Sequence, residues 1–580
     1  MRKSSIFSRK IITYSLMLSV LSLPAFSFSA GAEEAPAAAE ASTGEPDAGP
    51  EKENDGAEPE AAEARALPRK LAPERNAAAE RRAELTKLPE KLLQAAKRLR
   101  VDPAGIAVSV VPVEDPKRPV LSWRADAMEP PASTAKLVTT LAALEVLGSS
   151  YRWRTNFYVR EMPDRNGLLR GGLFIRGGGD PALVLEDFAL EVDRLAQKGI
   201  RRIDGNIVID RSHFNIPNVD PGAFDGRRSR PYNLQPDAAL LNYRNLSFEL
   251  TPDVKAGVAR VVVFPPLAGV SYPKTIRLGK GGCGDWKSAI AFRVNDLGKG
   301  KKRVLFNGRY PSACGVKSFN VIAFEADEYF ERLFRALWEK DGRTWRGKVV
   351  SGRVPEDGKL FLTRLSPTLG EITALTNKWS NNPMARHIFL TLGTRRVEEE
   401  LEAKASEEAA EAKAAGAPGK TAKKEAEREA KPGDEKRLQF PRGATLGDAR
   451  AELSDWMTSR GIPASEIIID NGSGLSRTSR VSARAMTDLL SAGWNGPYMP
   501  EYLASLPITG RDGTMVRRKV ALEEGRIKTG YLENVRSIGG YVHALDGRRY
   551  AVYASVTGAK NVPGGIRFLD AVIEWVYAAE

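Results

Sequence analysis

The chain has 580 residues, 42% of them hydrophobic and 28% charged, which is too long for one ordinary domain and apolar enough to bury a core. Its formal charge of +14 is uneven: residues 1–32 hold four cations, residues 33–64 carry eleven acids against Lys52, and residues 65–580 retain +20. The three histidines fall in no paired metal-binding spacing and no nucleic-acid motif occurs, so the cationic body points to anionic polymers, cell wall among them.

In chain order, Arg2, Lys3, Arg9 and Lys10 form a basic head. Ile11 to Phe28 is mostly apolar, and Ala30-Gly31-Ala32 supplies a small-x-small site. Residues 1–32 are therefore expected to be a cleaved secretory signal, with an uncleaved anchor as the alternative. No later apolar run is long enough to span a bilayer. Residues 33–80, acidic and rich in Ala, Glu and Pro, hold too little apolar surface to offset ordering entropy and are expected to be a disordered leader. Order is expected from near Leu88, where Leu92, Leu93, Ala96 and Leu99 recur at helical spacing. Gly105 to Val113 and Val120 to Trp123 read as a hairpin. After Pro130-Pro131, a helix is expected from Ser133 to about Leu147, stopped by Gly148.

Residues 151–360 show short strand signals, such as Gly205 to Asp210 and Val258 to Phe264, broken by Gly and Pro. They read as one or two mainly β accessory lobes. Cys283 and Cys314 lie there, and an oxidising exterior favours pairing them, which the chain-entropy model values at roughly 3–4 kcal/mol. Residues 397–437 are Ala, Glu and Lys with no Leu beyond Leu401, and read as a solvated surface excursion without an apolar face to dock. The C-terminal part carries three strands, at Gly525 to Gly530, Ser537 to Ala544 and Tyr550 to Val556, then a helix from about Ile566 to Ala578. Early and late strands are expected to share one sheet, so that 85–150 and 361–580 build one domain around inserted material.

The chemistry points to serine and lysine. No GxSxG turn accompanies His213, His387 or His543, so histidine-assisted catalysis has little support. Ser133-Thr134-Ala135-Lys136 puts a hydroxyl and an amine three residues apart at a helix start, on one face. Alone, that spacing is equally an ordinary capped helix. Lys528-Thr529-Gly530 on a strand and Ser380-Asn381-Asn382 after a helical stretch add a second amine, a second hydroxyl and an amide. Gly472, Gly474 and Asp512-Gly513 read as tight turns framing the sheet.

These three motifs, in this order, resemble the SxxK, SxN and KTG signatures of the active-site serine penicillin-recognising enzymes. The 247 residues between Ser133 and Ser380 narrow the resemblance to the D-alanyl-D-alanine carboxypeptidase/endopeptidase family typified by penicillin-binding protein 4. Gly178 to Pro181, Asp470 to Arg477 and Gly510 to Thr514 also look like that family. The resemblance runs from about residue 90 to the C-terminus and leaves out the leader and the 397–437 segment.

It implies an α/β (α+β) fold: a penicillin-binding/β-lactamase-like transpeptidase domain with an antiparallel sheet flanked by helices, split by the inserted region. The implied activity is a cofactor-free, metal-free serine hydrolase acting on peptidoglycan peptides and inhibited by β-lactams. Ser133 is the implied nucleophile and Lys136 its base, with Ser380, Asn382 and Lys528 completing the catalytic set. Thr529, Gly530 and Tyr531 bind substrate, and the N–H groups of Ser133 and Tyr531 form the oxyanion hole. The competing readings are a β-lactamase, disfavoured by the long insertion, and an inactive wall-binding protein, disfavoured by the intact motifs. The expected location is periplasmic, soluble or loosely wall-associated.

Overall fold

The structure, a computed structural model, describes residues 86–414 and 442–579. The expected signal, the leader and the larger part of the 397–437 excursion lie outside the described residues. The fold is mixed α/β.

The central sheet draws on both ends of the chain. Ile106–Pro112 pairs with Leu121–Trp123 on one side and Arg549–Thr557 on the other, and Val535–His543 and Gly525–Leu532 follow, every pair antiparallel. Its β-branched first strand is buried along its whole length because both faces are covered. Ile106, Val108 and Val110 pack with Leu92 of the helix Glu90–Leu99 and with Phe568, Leu569 and Val572 of the helix Val562–Tyr577. Ala107 and Val111 face the opposite layer, where the helices Ala135–Leu147, Leu369–Lys378 and Ala483–Trp494 collect. In Ala135–Leu147 all ten residues from Ala135 to Leu144 are buried. A helix enclosed on every side carries any charge it bears into the core.

The long insertion leaves and returns through a zipped neck. Leu369 N donates to Tyr151 O at 2.8 Å, Ser366 N to Trp153 O at 3.0 Å, and Leu365 sits opposite Arg154 where Lys359–Leu365 pairs antiparallel with Arg154–Val159. A buried ion pair joins Arg364 to Asp180, and Arg364 Nη2 also reaches Asp187 at 2.6 Å. Between the two ends lie two five-stranded and two three-stranded sheets. The region is mainly β and also carries two helices. Two 13-residue helices, Leu185–Gln197 and Ala326–Trp338, bury the apolar stripes Leu185, Phe188, Val192, Leu195 and Tyr329, Phe330, Leu333, Phe334. Strand Val258–Phe264 forms where the β-branched run lies, and Cys283 and Cys314 are bonded, Cα atoms 4.6 Å apart.

The excursion begins differently from its expectation. Helix Asn382–Ala414 continues unbroken through Val397 and Leu401. Val397 is buried and Leu401 packs with it against Phe214 and Ala444. Arg442 then closes the far side, bonded to Glu400 at 2.8 Å and to Asp448 at 2.7 Å. The segment's first turns do dock, through two apolar residues. No helix among the described residues is long and apolar enough to cross a membrane.

Candidate active site

Ser133 lies in a 3-10 turn, Ala132–Thr134, that runs into the buried helix Ala135–Leu147. Pro131 O accepts hydrogen bonds from Thr134 Oγ1 and Ser537 Oγ, both at 2.6 Å, which pins the turn to the helix start and to the sheet. Ala132 adopts φ +50°, a left-handed conformation that costs an L-residue roughly 1–2 kcal/mol. Ser133 is half-buried between the buried residues Ala132 and Thr134. An activated hydroxyl needs such a support: rigid beneath, open on one side.

One turn on, Lys136 is fully buried. Its Nζ lies 3.1 Å from Ser133 Oγ, 2.7 Å from Asn382 Oδ1 and 2.5 Å from the Ser473 carbonyl. Asn382 Nδ2 donates to the Tyr232 carbonyl at 3.2 Å, which orients the amide so that its oxygen faces Lys136. A neutral amine has two hydrogens and one lone pair. The two carbonyl-type oxygens accept the hydrogens, and the lone pair is left facing the Ser133 hydroxyl. Burial holds Lys136 well below the usual lysine range, and the Lys528 and Arg386 cations press the same way. Geometry and electrostatics therefore both favour an amine able to take a proton from Ser133.

The Ser473 carbonyl comes from the turn Gly472-Ser473-Gly474, whose glycines have φ +75° and +78°. A Cβ on Gly474 would stand 1.8 Å from Ala132 O, so only glycine lets this turn press against the Ser133 segment. Gly472 and Gly474 are turn formers, as their residue type suggests, and the turn also presents an acceptor to Lys136. That acceptor, the Tyr232 carbonyl and Arg386 were not anticipated. Backbone groups leave no residue-type signature, and Arg386 is marked only by lying four residues after Asn382 on the same helix.

Helix Leu369–Lys378 ends just before Ser380, which adopts φ +57°. Asn381 Oδ1 accepts a hydrogen bond from Met384 N at 3.1 Å and caps the long helix, so Asn382 becomes its first residue and faces the lysine. Lys528 Nζ donates to Ser380 Oγ at 2.9 Å and to Thr529 O at 2.8 Å. It too is fully buried, and burial pulls it down to about 7.

The strand Gly525–Leu532 that carries Lys528 runs flush against the nucleophile's segment. A Cβ on Gly530 would lie 2.1 Å from Ser537 Oγ and 2.8 Å from Pro131 O. Thr529 Oγ1 donates to Thr514 Oγ1 at 2.8 Å. Tyr531 turns its ring outward beneath the Arg536 guanidinium, 3.6 Å from the ring centroid. The Gly510–Thr514 loop is anchored in turn: Lys378 Nζ meets Asp512 Oδ2 at 2.5 Å, and Asp512 Oδ1 accepts from Ile508 N at 2.7 Å. Thr514 and the helix before Ser380 are thus tied together.

The histidines serve elsewhere. His387 is buried and His213 half-buried, desolvation of the rings pushes both down to about 4, and His387 is held between Gly179 O and Asp237 N. His543 pairs with Glu524 at 3.0 Å. The described residues contain no group of three His, Cys, Asp or Glu side chains placed to hold a metal ion.

Two kinds of likeness accompany this geometry. The D-Ala-D-Ala carboxypeptidase 3 (S13) family matches residues 88–413 and 441–567. A D-alanyl-D-alanine carboxypeptidase of an Actinomadura species is 26% identical over 468 residues, 76% of each chain. The D-alanyl-D-alanine carboxypeptidase DacB of Haemophilus influenzae is 21% identical over 432 residues, 74% of this chain and 80% of that one. The crystal structure of penicillin binding protein 4 from Haemophilus influenzae superposes with a TM-score of 0.60 at 18% identity, covering 84% of this chain and 98% of that one. The chain belongs to the D-Ala-D-Ala carboxypeptidase 3 (S13) family, and is a serine-type hydrolase of peptidoglycan.

Proposed function

We propose that Ser133 attacks the carbonyl between two D-alanines of a stem peptide, at a terminal pair or at a cross-link, and is acylated. Lys136 accepts the hydroxyl proton, and its carrying observation is the pair of acceptors, Asn382 Oδ1 and Ser473 O, that leaves its lone pair for Ser133. Developing negative charge is met by the N–H groups of Ser133 and Tyr531, a reading supported by the close packing of Gly530 on Pro131. Ser380, bonded to Lys528, passes a proton to the departing amine. Lys528 and Thr529 receive the substrate's terminal carboxylate, and the free N–H of the Asn382 side chain holds the substrate amide. Water then releases the acyl group.

The same nucleophile opens a β-lactam ring. The Haemophilus influenzae relative has been seen complexed with a β-lactam, and this chain's Ser133 is taken to react alike. In this reading 85–150 and 361–580 are the catalytic domain, 151–360 the accessory part, and Cys283–Cys314 a structural bridge within it. Residues 1–32 export the chain to the periplasm.

Intact mass after incubation with benzylpenicillin is the direct test. The wild type should gain one penicilloyl group and Ser133→Ala none. The same pair, given a D-Ala-D-Ala pentapeptide, should differ in released D-alanine by at least about a thousandfold. An adduct on Ser133→Ala would remove Ser133 from the nucleophile's place.

A further inference from the structure

The chain's positive charge is concentrated in one stretch. Residues 254–317 hold thirteen Lys and Arg against Asp285 and Asp296, a net of +11 out of the +20 carried by residues 65–580. These residues fold into the sheet ordered Tyr310–Pro311, Thr275–Gly279, Val258–Phe264, Asn245–Asp253, Lys317–Ile322, and into the smaller sheet Val270–Ser271, Lys302–Gly308, Ile290–Asp296. Phe248, Phe292, Phe306 and Phe319 pack together between them.

Register brings five cations to one end of the five-stranded sheet. Asp253 pairs with Val258 and Val258 with Arg277; Leu278 pairs with Tyr310, and Leu250 with Lys317. That edge therefore presents Lys317 at the start of its strand, Lys255 in the turn after Asp253, Arg277 and Lys280 at the close of theirs, and Arg309 just before Tyr310. All five side chains are exposed, and none has a carboxylate within 4.0 Å among the described residues. Arg309 reaches only the Leu278 carbonyl, and Asp253, the acid on this edge, is occupied by the N–H of Ala256. At about 4.8 Å between strands, the row is roughly 19 Å long. Five like charges held apart along that end of the sheet, with no carboxylate partner among the described residues, suit an extended polyanion better than a small ligand.

We propose that this edge is a docking surface for the peptidoglycan strand itself, whose stem peptides carry free carboxylates. It holds the enzyme on its insoluble substrate through residues that the Ser133 site does not use. The inference rests on the family's action on peptidoglycan. Val254 and Val316 are the large apolar side chains exposed there, too little to seat in a bilayer interface, so the polymer is favoured over an anionic membrane.

The test is sedimentation of full-length mature protein with purified, protein-free sacculi at about 20 mM and about 300 mM salt, across roughly a fourfold change in screening length. Wild type should bind at low salt and release at high salt. A combined Lys255→Gln, Arg277→Gln, Lys280→Gln, Arg309→Gln, Lys317→Gln variant should bind about tenfold or more weakly, with thermal unfolding and hydrolysis of a soluble pentapeptide unchanged. The charge-keeping pair Arg277→Lys, Arg309→Lys should bind as wild type does. Undiminished binding by the five-site variant, salt-independent binding by the wild type, or capture by phosphatidylglycerol vesicles but not sacculi would overturn the proposal. Sedimentation without pentapeptide turnover would instead fault the catalytic reading and leave the docking surface standing.

Discussion

Lys136 Nζ and Asn382 Oδ1 lie 2.7 Å apart, although 246 residues separate them in the chain. The contact does more than join two motifs. An amide oxygen accepts a hydrogen bond from ammonium or amine without adding charge, so Asn382 orients Lys136 while burial, with the Lys528 and Arg386 charges, disfavours its ammonium form.

Asn382→Asp tests that division of labour. A carboxylate at this distance favours the ammonium form, so the rise of acylation rate with pH should move upward by at least about one unit, and the rate at pH 7 should fall about tenfold or more. Stopped-flow acylation by a fluorescent penicillin across pH 5–10 reads both quantities. A profile that keeps its midpoint would mean that Lys136 is not the titrating base.

Lys528, pulled down to about 7, makes carboxylate binding a proton-linked event. At pH 8 the free site is mostly neutral, and a bound carboxylate restores its charge. Calorimetry of a D-Ala-D-Ala ligand with a Ser133→Ala protein, in buffers of different ionisation enthalpy, should show uptake of about 0.9 proton at pH 8 and almost none at pH 5.5. Lys528→Gln should abolish the uptake.

The same lowered value predicts the direction of a stability change. Between about 7 and the unfolded value of 10.5, the unfolded chain binds the proton that the folded chain has lost, so Lys528 makes stability rise with pH across this window, by at most about 1.4 kcal/mol per unit. Below 7 both states are charged and the full penalty of the buried ammonium remains. Lys528→Met should therefore stabilise the fold more at pH 6 than at pH 10 in urea unfolding, while removing activity. An equal gain at both values would place the titration elsewhere.

At the neck, Arg364 compensates Asp180, whose carboxyl burial pushes up despite its partner. Arg364→Met leaves that acid buried without its cation, and should cost about 3–5 kcal/mol by urea unfolding. Adding Asp180→Asn should recover part of the loss, since the uncompensated charge is then gone.

How far the sequence alone could be read follows from what kinds of group do the work. Side-chain chemistry at fixed spacing was visible, and the structure bonds Lys136 to Ser133 and Asn382, and Lys528 to Ser380, with the Lys528 charge acting on Lys136. Runs of β-branched residues marked the strands Ile106–Pro112 and Val258–Phe264. The carbonyls of Ser473 and Tyr232 carried no such mark, because every residue has one and only the fold decides where it points. The helices Leu185–Gln197 and Ala326–Trp338 were hidden among Gly- and Pro-broken strands, although each has an apolar stripe at helical period. The start of the 397–437 segment was misjudged because two residues, Val397 and Leu401, suffice to dock a helix already nucleated by the buried turns before it.

The neck also says something about how this chain tolerates change. Residues 149–154 and 365–370 are stitched to one another, and the first part of what hangs between returns to the site, where the Tyr232 carbonyl orients Asn382. Further along, Asn245 pairs with Ile322, and residues 246–321 hang from that second clasp as cargo that supplies none of the contacts described at Ser133 and Lys136. Such cargo can be lengthened, trimmed or exchanged for another shape as long as Asn245 still meets Ile322. One chemical engine can thereby be delivered to different parts of a polymer network by changing only the load that the clasp carries.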